Sequence, residues 1–263
     1  MKIIVLIKQV PDTTNVRINP ETNTLMREGV ESIINPFDMY ALEEALRLKD
    51  RLSGEPETVV LSMGPPQVET ALREAIAMGF DKAILLSDRK FAGSDTLATS
   101  YTLSSAIRKL GDYHLILAGK QAIDGDTAQV GPGVATWLGL PCATYIRKIE
   151  DITDKEVVVE RLMETGYDRI SLKLPAVLTV VKELNEPRLP SLRGKLRAKK
   201  EEIIKWGFSD LGVEESMLGL NGSPTQVVKI FSPPPKQGGE KFEGSPPASA
   251  QKIFDYLKTN KLI

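Results

Sequence analysis

The sequence predicts an α/β fold: an open, doubly wound, mostly parallel sheet with an antiparallel extension, an exposed docking loop and a C-terminal arm. Three observations predict it. Short continuous apolar runs alternate with stretches of helical periodicity over about the first 145 residues; consecutive β-rich runs then replace the alternation; and the chain closes on a Pro/Gly-rich stretch with a short amphipathic segment.

Composition sets the bounds. The chain has 263 residues, 41% hydrophobic and 26% charged, with a net charge of −1, enough for a sizeable core and an appended lobe. Near-neutral charge gives no support for nucleic acid or a membrane surface as its main target. One cysteine, Cys142, and one histidine, His114, are too few for a structural zinc or an iron–sulfur cluster held by this chain alone, and they exclude an internal disulfide. At the start, "MKIIVLIKQV" is apolar only as far as Lys8, too short for a signal-peptide core or a membrane span. It reads as a first strand, and the expectation is a cytoplasmic protein without membrane insertion.

The elements follow in order. Ile3–Ile7, Thr58–Ser62, Ala83–Ser87 and His114–Ala118 are runs rich in Ile, Val and Leu bounded by Gly, Asp or Pro, as strands buried on both faces should be. The first helix is "DMYALEEALRLKDRL", with Ala41, Leu42, Ala45, Leu46 and Leu52 largely on one face, Asp38 as its cap and Gly54 past its end. The second, "QVETALREAIAMGF", carries Val68, Ala71, Leu72, Ala75 and Ile76 and stops at Gly79. A third spans Thr96 to Leu110 behind Ser94 and Asp95 as caps, and a fourth runs through Leu138. Repeated strand–helix–strand units imply a parallel sheet covered on both faces. Beyond them, Cys142–Ile149, Val157–Met163, Asp168–Leu172 and Ala176–Val181 suggest an antiparallel extension, with a turn at Gly166 and Cys142 as a small buried residue at a strand start.

Ligands of such sheets lie outside the carboxyl ends of the strands. That rule selects "KQVPDT", "SMGPP", "SDRKFAGSD" and "GKQAIDGDTAQVGPG". In the last, Asp126 to Gly133 opens a helix whose unpaired N–H groups suit a phosphate or pyrophosphate, with Gly131 and Gly133 permitting close approach and Thr127 and Gln129 adding donors. The same residues would serve equally as a plain capped turn, with Asp124 and Asp126 as the caps. Beside a phosphate the two aspartates would repel it unless their side chains face the backbone. No GxGxxG, P-loop or GxSxG motif is present, His114 opens a core strand, and no side chain stands out as nucleophile or general acid or base. Any reaction here belongs to a bound cofactor.

In "KELNEPRLPSLRGKLRAKKEEI", Pro187, Pro190 and Gly194 keep the chain irregular and exposed, and Leu189, Leu192 and Leu196 stand among charges, the pattern of a docking loop. The tail "SPPPKQGGEKFEGSPPASAQKIFDYLKTNKLI" cannot form its own core and is expected to lie on another chain. The predicted organisation is a nucleotide-binding α/β domain with its β extension at 1–182, a partner-recognition loop and the start of a helix at 183–205, and a C-terminal segment and arm at 206–263.

Over essentially its whole length the chain resembles the β subunits of electron transfer flavoproteins. The resemblance rests on "IKQVPD" at Ile7–Asp12, "NPFDMYALEEAL" at Asn35–Leu46, "GKQAIDGDTAQVGP" at Gly119–Pro132, and "VERLMETGYDRISLKLPAVLT" at Val159–Thr179 followed by "NEPRLPSLRGKLRAKK". The long signature-like segment departs from the family pattern at Thr165 and Asp168, away from the nucleotide loops. The resemblance implies an adenine-nucleotide α-hydrolase-like fold and a heterodimer whose α subunit carries FAD and takes the C-terminal arm. It implies an adenine nucleotide in this chain: AMP in plain carriers, a second FAD in electron-bifurcating members. "DGDTAQVGP" is similar to the bifurcating type, because plain carriers tend to place Thr and Gln where Val130 and Pro132 stand, and this favours FAD over AMP.

The cofactor residues implied are Val10, Asn35, Pro36, Phe37, Asp38, Met63, Gly64, Asp124, Gly125, Asp126, Thr127, Ala128, Gln129, Val130, Gly131 and Pro132. NADH would deliver a hydride to the flavin, with electrons passing to a low-potential ferredoxin or flavodoxin and, through the α-subunit flavin, to an acyl-CoA-type or quinone-linked dehydrogenase. Leu192 falls where the family's recognition loop has its anchoring leucine, flanked by Arg193, Lys195 and Arg197 as steering charges. An AMP-binding carrier subunit, and a nucleotide-binding regulatory module without redox function, are the alternatives.

Overall fold

The computed structural model describes residues 1–12, 17–18, 25–26, 32–228, 238–239 and 241–263. Thr13 of the "KQVPDT" loop and residues 232–237 and 240 of the arm lie outside them. Two compact units result, Met1–Val227 and Val228–Ile263.

The first unit is built on β1 (Lys2–Leu6), α1 (Pro36–Arg51), β6 (Glu57–Met63), α2 (Glu69–Met78), β7 (Lys82–Leu86), α3 (Thr96–Leu110), β8 (Leu115–Gly119), α4 (Val130–Leu138) and β12 (Ala176–Val180). Short strands β2 (Gln9–Pro11) with β5 (Ser32–Ile34), and β3 (Arg17–Ile18) with β4 (Leu25–Met26), pair antiparallel between β1 and α1. The extension is β9 (Cys142–Ile152), β10 (Glu156–Met163) and β11 (Gly166–Lys173); α5 (Leu192–Ala198), β13 (Ile204–Trp206) and α6 (Phe208–Leu211) complete the unit. Nine strands form one sheet in the order β11-β10-β9-β12-β8-β1-β6-β7-β13.

Successive residues of a strand point to opposite faces, and the core divides accordingly. Ile3, Val5, Leu115 and Leu117 pack with Leu42, Leu46, Leu72 and Ile76 of α1 and α2. Ile4, Leu6, Ile116 and Ala118 pack with Leu103, Ile107, Val134 and Ala135 of α3 and α4. Both faces being dry, the strands read as unbroken apolar runs.

Several expectations are corrected. Ala176–Val180 is not part of the antiparallel extension: it runs parallel between β8 and β9, and only β10, which pairs antiparallel with both β9 and β11, runs against the rest. Its five residues are all buried, as a central strand requires. Asp38 does not cap α1, which starts at Pro36 behind Asn35 and takes Asp38 into its buried first turn. Of the two caps expected for α3, Asp95 accepts from the N–H groups of Leu97 and Ala98, whereas the Ser94 hydroxyl donates to the Phe91 carbonyl. Cys142 starts its strand but is exposed. The docking segment is not wholly irregular, because Ser191 accepts from the Gly194 N–H and nucleates α5. The three-residue edge strand β13 was not expected, being too short to show a pattern in a charged stretch.

In the second unit α7 (Pro246–Thr259) starts on two prolines and leaves Ile253, Phe254 and Tyr256 partly exposed, with the rings of Phe242 and Tyr256 meeting edge to face at 6.2 Å.

Gly131 has a packing role. A Cβ there would stand 2.4 Å from Thr179 Cγ2, so α4 lies on β12 at a separation that only glycine permits. Gly131→Ala should therefore destabilise the fold by about 1–3 kcal/mol, the usual cost of overpacking. The double variant Gly131→Ala/Thr179→Ser, which removes the opposing methyl, should recover most of that in a urea titration. A single variant as stable as the parent would mean that α4 is free to shift.

Candidate functional site

The chain crosses from one face of the sheet to the other between β1 and β8, since α1 and α2 cover one side and α3 and α4 the other. This is the switch point at which the loops after adjacent strands diverge and leave a crevice. The loop 120–129 after β8 and the segment 7–12 after β1 meet there.

Two buried side chains of the α1 N-terminus join them. Asn35 donates through Nδ2 to the Gln121 carbonyl at 2.9 Å and accepts at Oδ1 from the Ile123 N–H at 3.1 Å, while its own N–H donates to the Lys8 carbonyl at 2.8 Å. Asp38, 6% exposed, accepts from the Lys8 N–H at 2.7 Å and from the Gly119 N–H at 3.1 Å, one oxygen for each strand end. A Cβ on Gly119 would fall 2.3 Å from Asp38 Oδ1, so the strand must end on glycine. Burial pushes the Asp38 carboxyl up from 3.8 to about 7, against the opposing pull of those N–H donors.

The loop is held in an unusual shape. Asp126 and Ala128 have φ of 53° and 54°, the left-handed region that non-glycine residues rarely adopt, and such positions concentrate at functional loops. The Asp126 N–H donates to the Ala122 carbonyl at 2.8 Å. α4 then begins at Val130, not at Asp126, and no side chain caps it. Pro132 has no N–H and the Gly133 N–H reaches the Gln129 carbonyl, so the Val130 and Gly131 N–H groups are the ones left for an external acceptor.

Neither aspartate caps this helix, which corrects both the plain-turn expectation and the condition set for a phosphate. Asp124 is paired with Lys8 Nζ at 2.7 Å, and Asp126 accepts from the Gln121 side chain. The Asp124 charge is thus compensated by Lys8, and the Asp126 carboxylate is hydrogen-bonded by a neutral amide, both away from the helix start. Glycine roles differ as well: Gly131 and Gly133 serve packing, a Cβ on Gly133 lying 2.8 Å from Ser100 Oγ, and Gly64 makes room for Val68 Cγ2 in the turn into α2.

The other expected residues sit around this crevice. Val10 is buried in β2 and Met63 and Gly64 end β6 half-buried; Pro36 and Phe37 open α1; Asp124, Gly125 and Thr127 are exposed on the loop, and the Thr96 hydroxyl donates to Gln129 Oε1 at 2.8 Å. Lys8, Gly119, Lys120 and Gln121 were not expected. The hydrogen bonds that the Asn35, Asp38 and Asp124 side chains make with Lys8, Gly119 and Gln121 join residues 30 to 116 positions apart, and no spacing in the sequence signals them. Among the described residues no cluster of three or more His, Cys, Asp or Glu could hold a metal.

The expected partner-binding residues lie elsewhere, at the amino-terminal edge of β7. There α5 packs on the end of α2, and a Cβ on Gly194 would stand 2.0 Å from the Ala77 carbonyl oxygen. Arg197 is not a free rim charge. Its guanidinium donates to the carbonyls of Ile76, at 2.8 Å, and Phe80, capping α2. Arg193 and Lys195 remain exposed, with Leu189 at 90% and Leu192 at 77% exposure.

Asp38 yields a pH prediction. Its folded pKa lies above the unfolded value, so the folded state holds the proton more tightly between about pH 4 and 7, and its contribution to stability falls as pH rises through that window. Relative to Asp38→Asn, the parent should lose on the order of 1 kcal/mol per pH unit at most across it. Urea titrations at pH 5, 6 and 8 measure this, and a gap moving the other way would mean that the two N–H donors hold the carboxylate charged.

Comparison with known proteins follows the same direction. The model described as "Electron transfer flavoprotein domain" matches residues 22–211. The chain is 51% identical over 264 residues to the electron transfer flavoprotein subunit beta of Thermoanaerobacterium thermosaccharolyticum, covering all of both chains. It is 52% identical over 245 residues to caffeyl-CoA reductase-Etf complex subunit CarD of Acetobacterium woodii, 93% of each chain. To protein FixA of Bradyrhizobium diazoefficiens it is 46% identical over 268 residues, 99% of this chain and 92% of that one. None of the described helices is long and apolar enough to cross a membrane. With a crevice at its switch point and likenesses of this extent, the chain belongs to the electron transfer flavoprotein family, as a β subunit that pairs with an α subunit in electron transfer.

Proposed function

We propose that this β subunit binds FAD in the crevice between β1 and β8 and, with its α subunit, bifurcates electrons from NADH. The observation that carries the proposal is the start of α4: two backbone N–H groups, uncapped, beside apolar Val130 and Pro132, with both neighbouring aspartates already partnered. A site of that kind takes a phosphate by helix dipole and backbone and needs no charged side chain. Likeness to a subunit named for a caffeyl-CoA reductase complex supports the same reading.

When bound, the flavin supplies hydride acceptance from NADH and release of single electrons, one to a low-potential ferredoxin or flavodoxin and one through the α-subunit flavin to an acyl-CoA-type or quinone-linked dehydrogenase. The chain's own residues position it. Asn35 and Asp38 hold the two loops at a set separation, Val10, Met63 and Gly64 wall the adenosine end, and the loop 124–129 flanks the phosphate. We place the complex in the cytoplasm. The co-expressed, gel-filtered dimer should contain two flavins by absorbance after denaturation. One flavin together with AMP would replace this reading by that of a plain carrier.

The same proposal gives α5 the docking role. Leu192 and Leu196 are four residues apart on one helix face, and that helix is clamped by Arg197 and by Arg73, which donates to the carbonyls of Ala198 and Glu201. A rigid, exposed leucine is a low-entropy anchor worth roughly 2 kcal/mol when buried by a partner. Leu192→Ala should slow electron delivery to the dehydrogenase by about tenfold, with NADH reduction of the dimer unchanged. Equal losses in both half-reactions would assign the residue to the fold.

A further inference from the structure

Glu43, in the middle of α1, is a buried carboxylate with no part in the crevice or the apolar core. It is 3% exposed, yet it stands among charges. Arg188 donates to it three times: through its backbone N–H at 3.0 Å and Nε at 2.8 Å to one oxygen, and through Nη2 at 3.2 Å to the other. Arg47, one turn along the helix, adds a bond from Nε at 2.8 Å. Burial alone would push the Glu43 carboxyl up, but the bonds from Arg188 and Arg47 outweigh it and hold the carboxyl below the usual range.

Neighbouring residues extend this fastening. Asn185 donates through Nδ2 to the Tyr40 carbonyl at 3.1 Å and to Glu44 Oε2 at 2.9 Å, Arg47 Nη2 reaches the Glu186 carbonyl at 3.2 Å, and Arg188 Nη2 also reaches Asp50 at 2.9 Å. Residues 185–188 are thus bonded along α1 from Tyr40 to Asp50. Exposure changes abruptly at the next position: Leu189 is 90% exposed, and Leu192, at 77%, opens α5. The exposed leucines hang between two fastened ends, Arg188 on α1 and Arg197 with Arg73 beyond them. α1 is also the helix whose first turn, through Asp38, joins β1 to β8. Asp38 and Glu43 are roughly 7.5 Å apart along its axis, so one rigid helix holds the crevice and the start of the exposed segment in fixed relation.

A buried ion pair gains little net stability, because desolvation cancels most of the attraction; what a fork-shaped arginine pair adds is geometric specificity. We infer that Glu43 is a positioning residue for partner docking: through Arg188 it sets where the chain leaves α1, and hence where Leu192 stands relative to the crevice. The inference rests on the docking role given to α5 above and deepens it by naming what aims the anchor. Loss of the Glu43 charge then misplaces Leu192 without touching the crevice end of the helix.

The test uses the purified heterodimer, reduced with dithionite so that NADH plays no part, and an acyl-CoA-type dehydrogenase that the parent dimer reduces. Single-turnover rates measured against dehydrogenase concentration separate the half-saturation concentration from the limiting rate. Leu192→Ala should raise the half-saturation concentration about tenfold, and Glu43→Gln, which keeps the shape and removes the charge, about fivefold. The double variant Glu43→Gln/Leu192→Ala should rise no further than Leu192→Ala alone, since without the anchor nothing is left to aim. Arg188→Lys, which keeps the charge and loses the fork, should shift it in the same direction by less, and it carries the same comparison if Glu43→Gln loses its flavin. A limiting rate and flavin content like the parent's show that a variant is folded. A half-saturation concentration unchanged in Glu43→Gln, or shifts that multiply in the double variant, would overturn the inference. No shift in Leu192→Ala would overturn the docking reading beneath it.

Discussion

Asp38 is the constraint on which the crevice depends. A carboxylate buried in the first turn of α1 accepts one backbone N–H from the end of β1 and one from the end of β8, so a single side chain sets the spacing of the two strands between which the chain changes faces. Such a group is costly to bury. It is tolerated because both oxygens are satisfied by groups that would otherwise be unpaired at the strand ends. Glycine at 119 follows from it, since any Cβ there would meet the carboxylate.

Around that point the charges are arranged so that the start of α4 stays open. Lys8 extends from the β1 end to Asp124, and Gln121 reaches Asp126, which removes the two nearest carboxylates from competition for the helix N–H groups. The left-handed residues at 126 and 128 turn the backbone so that the loop returns to the helix without capping it. Backbone shape and helix dipole, more than side-chain charge, would then recognise an anion, and this agrees with a chain whose net charge is only −1.

The segment proposed to dock a partner is built on the opposite principle. Its exposed leucines stand on a helix of seven residues, far too short to be stable alone, and tertiary clamps hold it: Arg197 and Arg73 on backbone carbonyls and Gly194 against Ala77. Farther back, Arg188 bonds Glu43 and Asp50 of α1 and tethers the preceding residues. Cations that a sequence pattern assigns to a partner are in this way divided, with Arg193 and Lys195 left outward and Arg197 spent on the fold.

What the sequence by itself determined is the local and periodic part. Buried strands appear as unbroken apolar runs, α3 is bounded by Asp95 and Gly111, α2 stops at Gly79, and the family resemblance is written in contiguous segments, because each of these depends on neighbours within one element. Only the tertiary structure decided the rest. It inserted β12 between β8 and β9, turned Asp38 from a supposed cap into a bridge, gave Gly131 and Gly133 to packing, paired Lys8 with Asp124, and brought Arg188 onto Glu43. The physical reason is common to all of them. Strand order, the partner of a buried polar group and the space beside a glycine are set by residues tens of positions away, and periodicity within a segment holds no record of them.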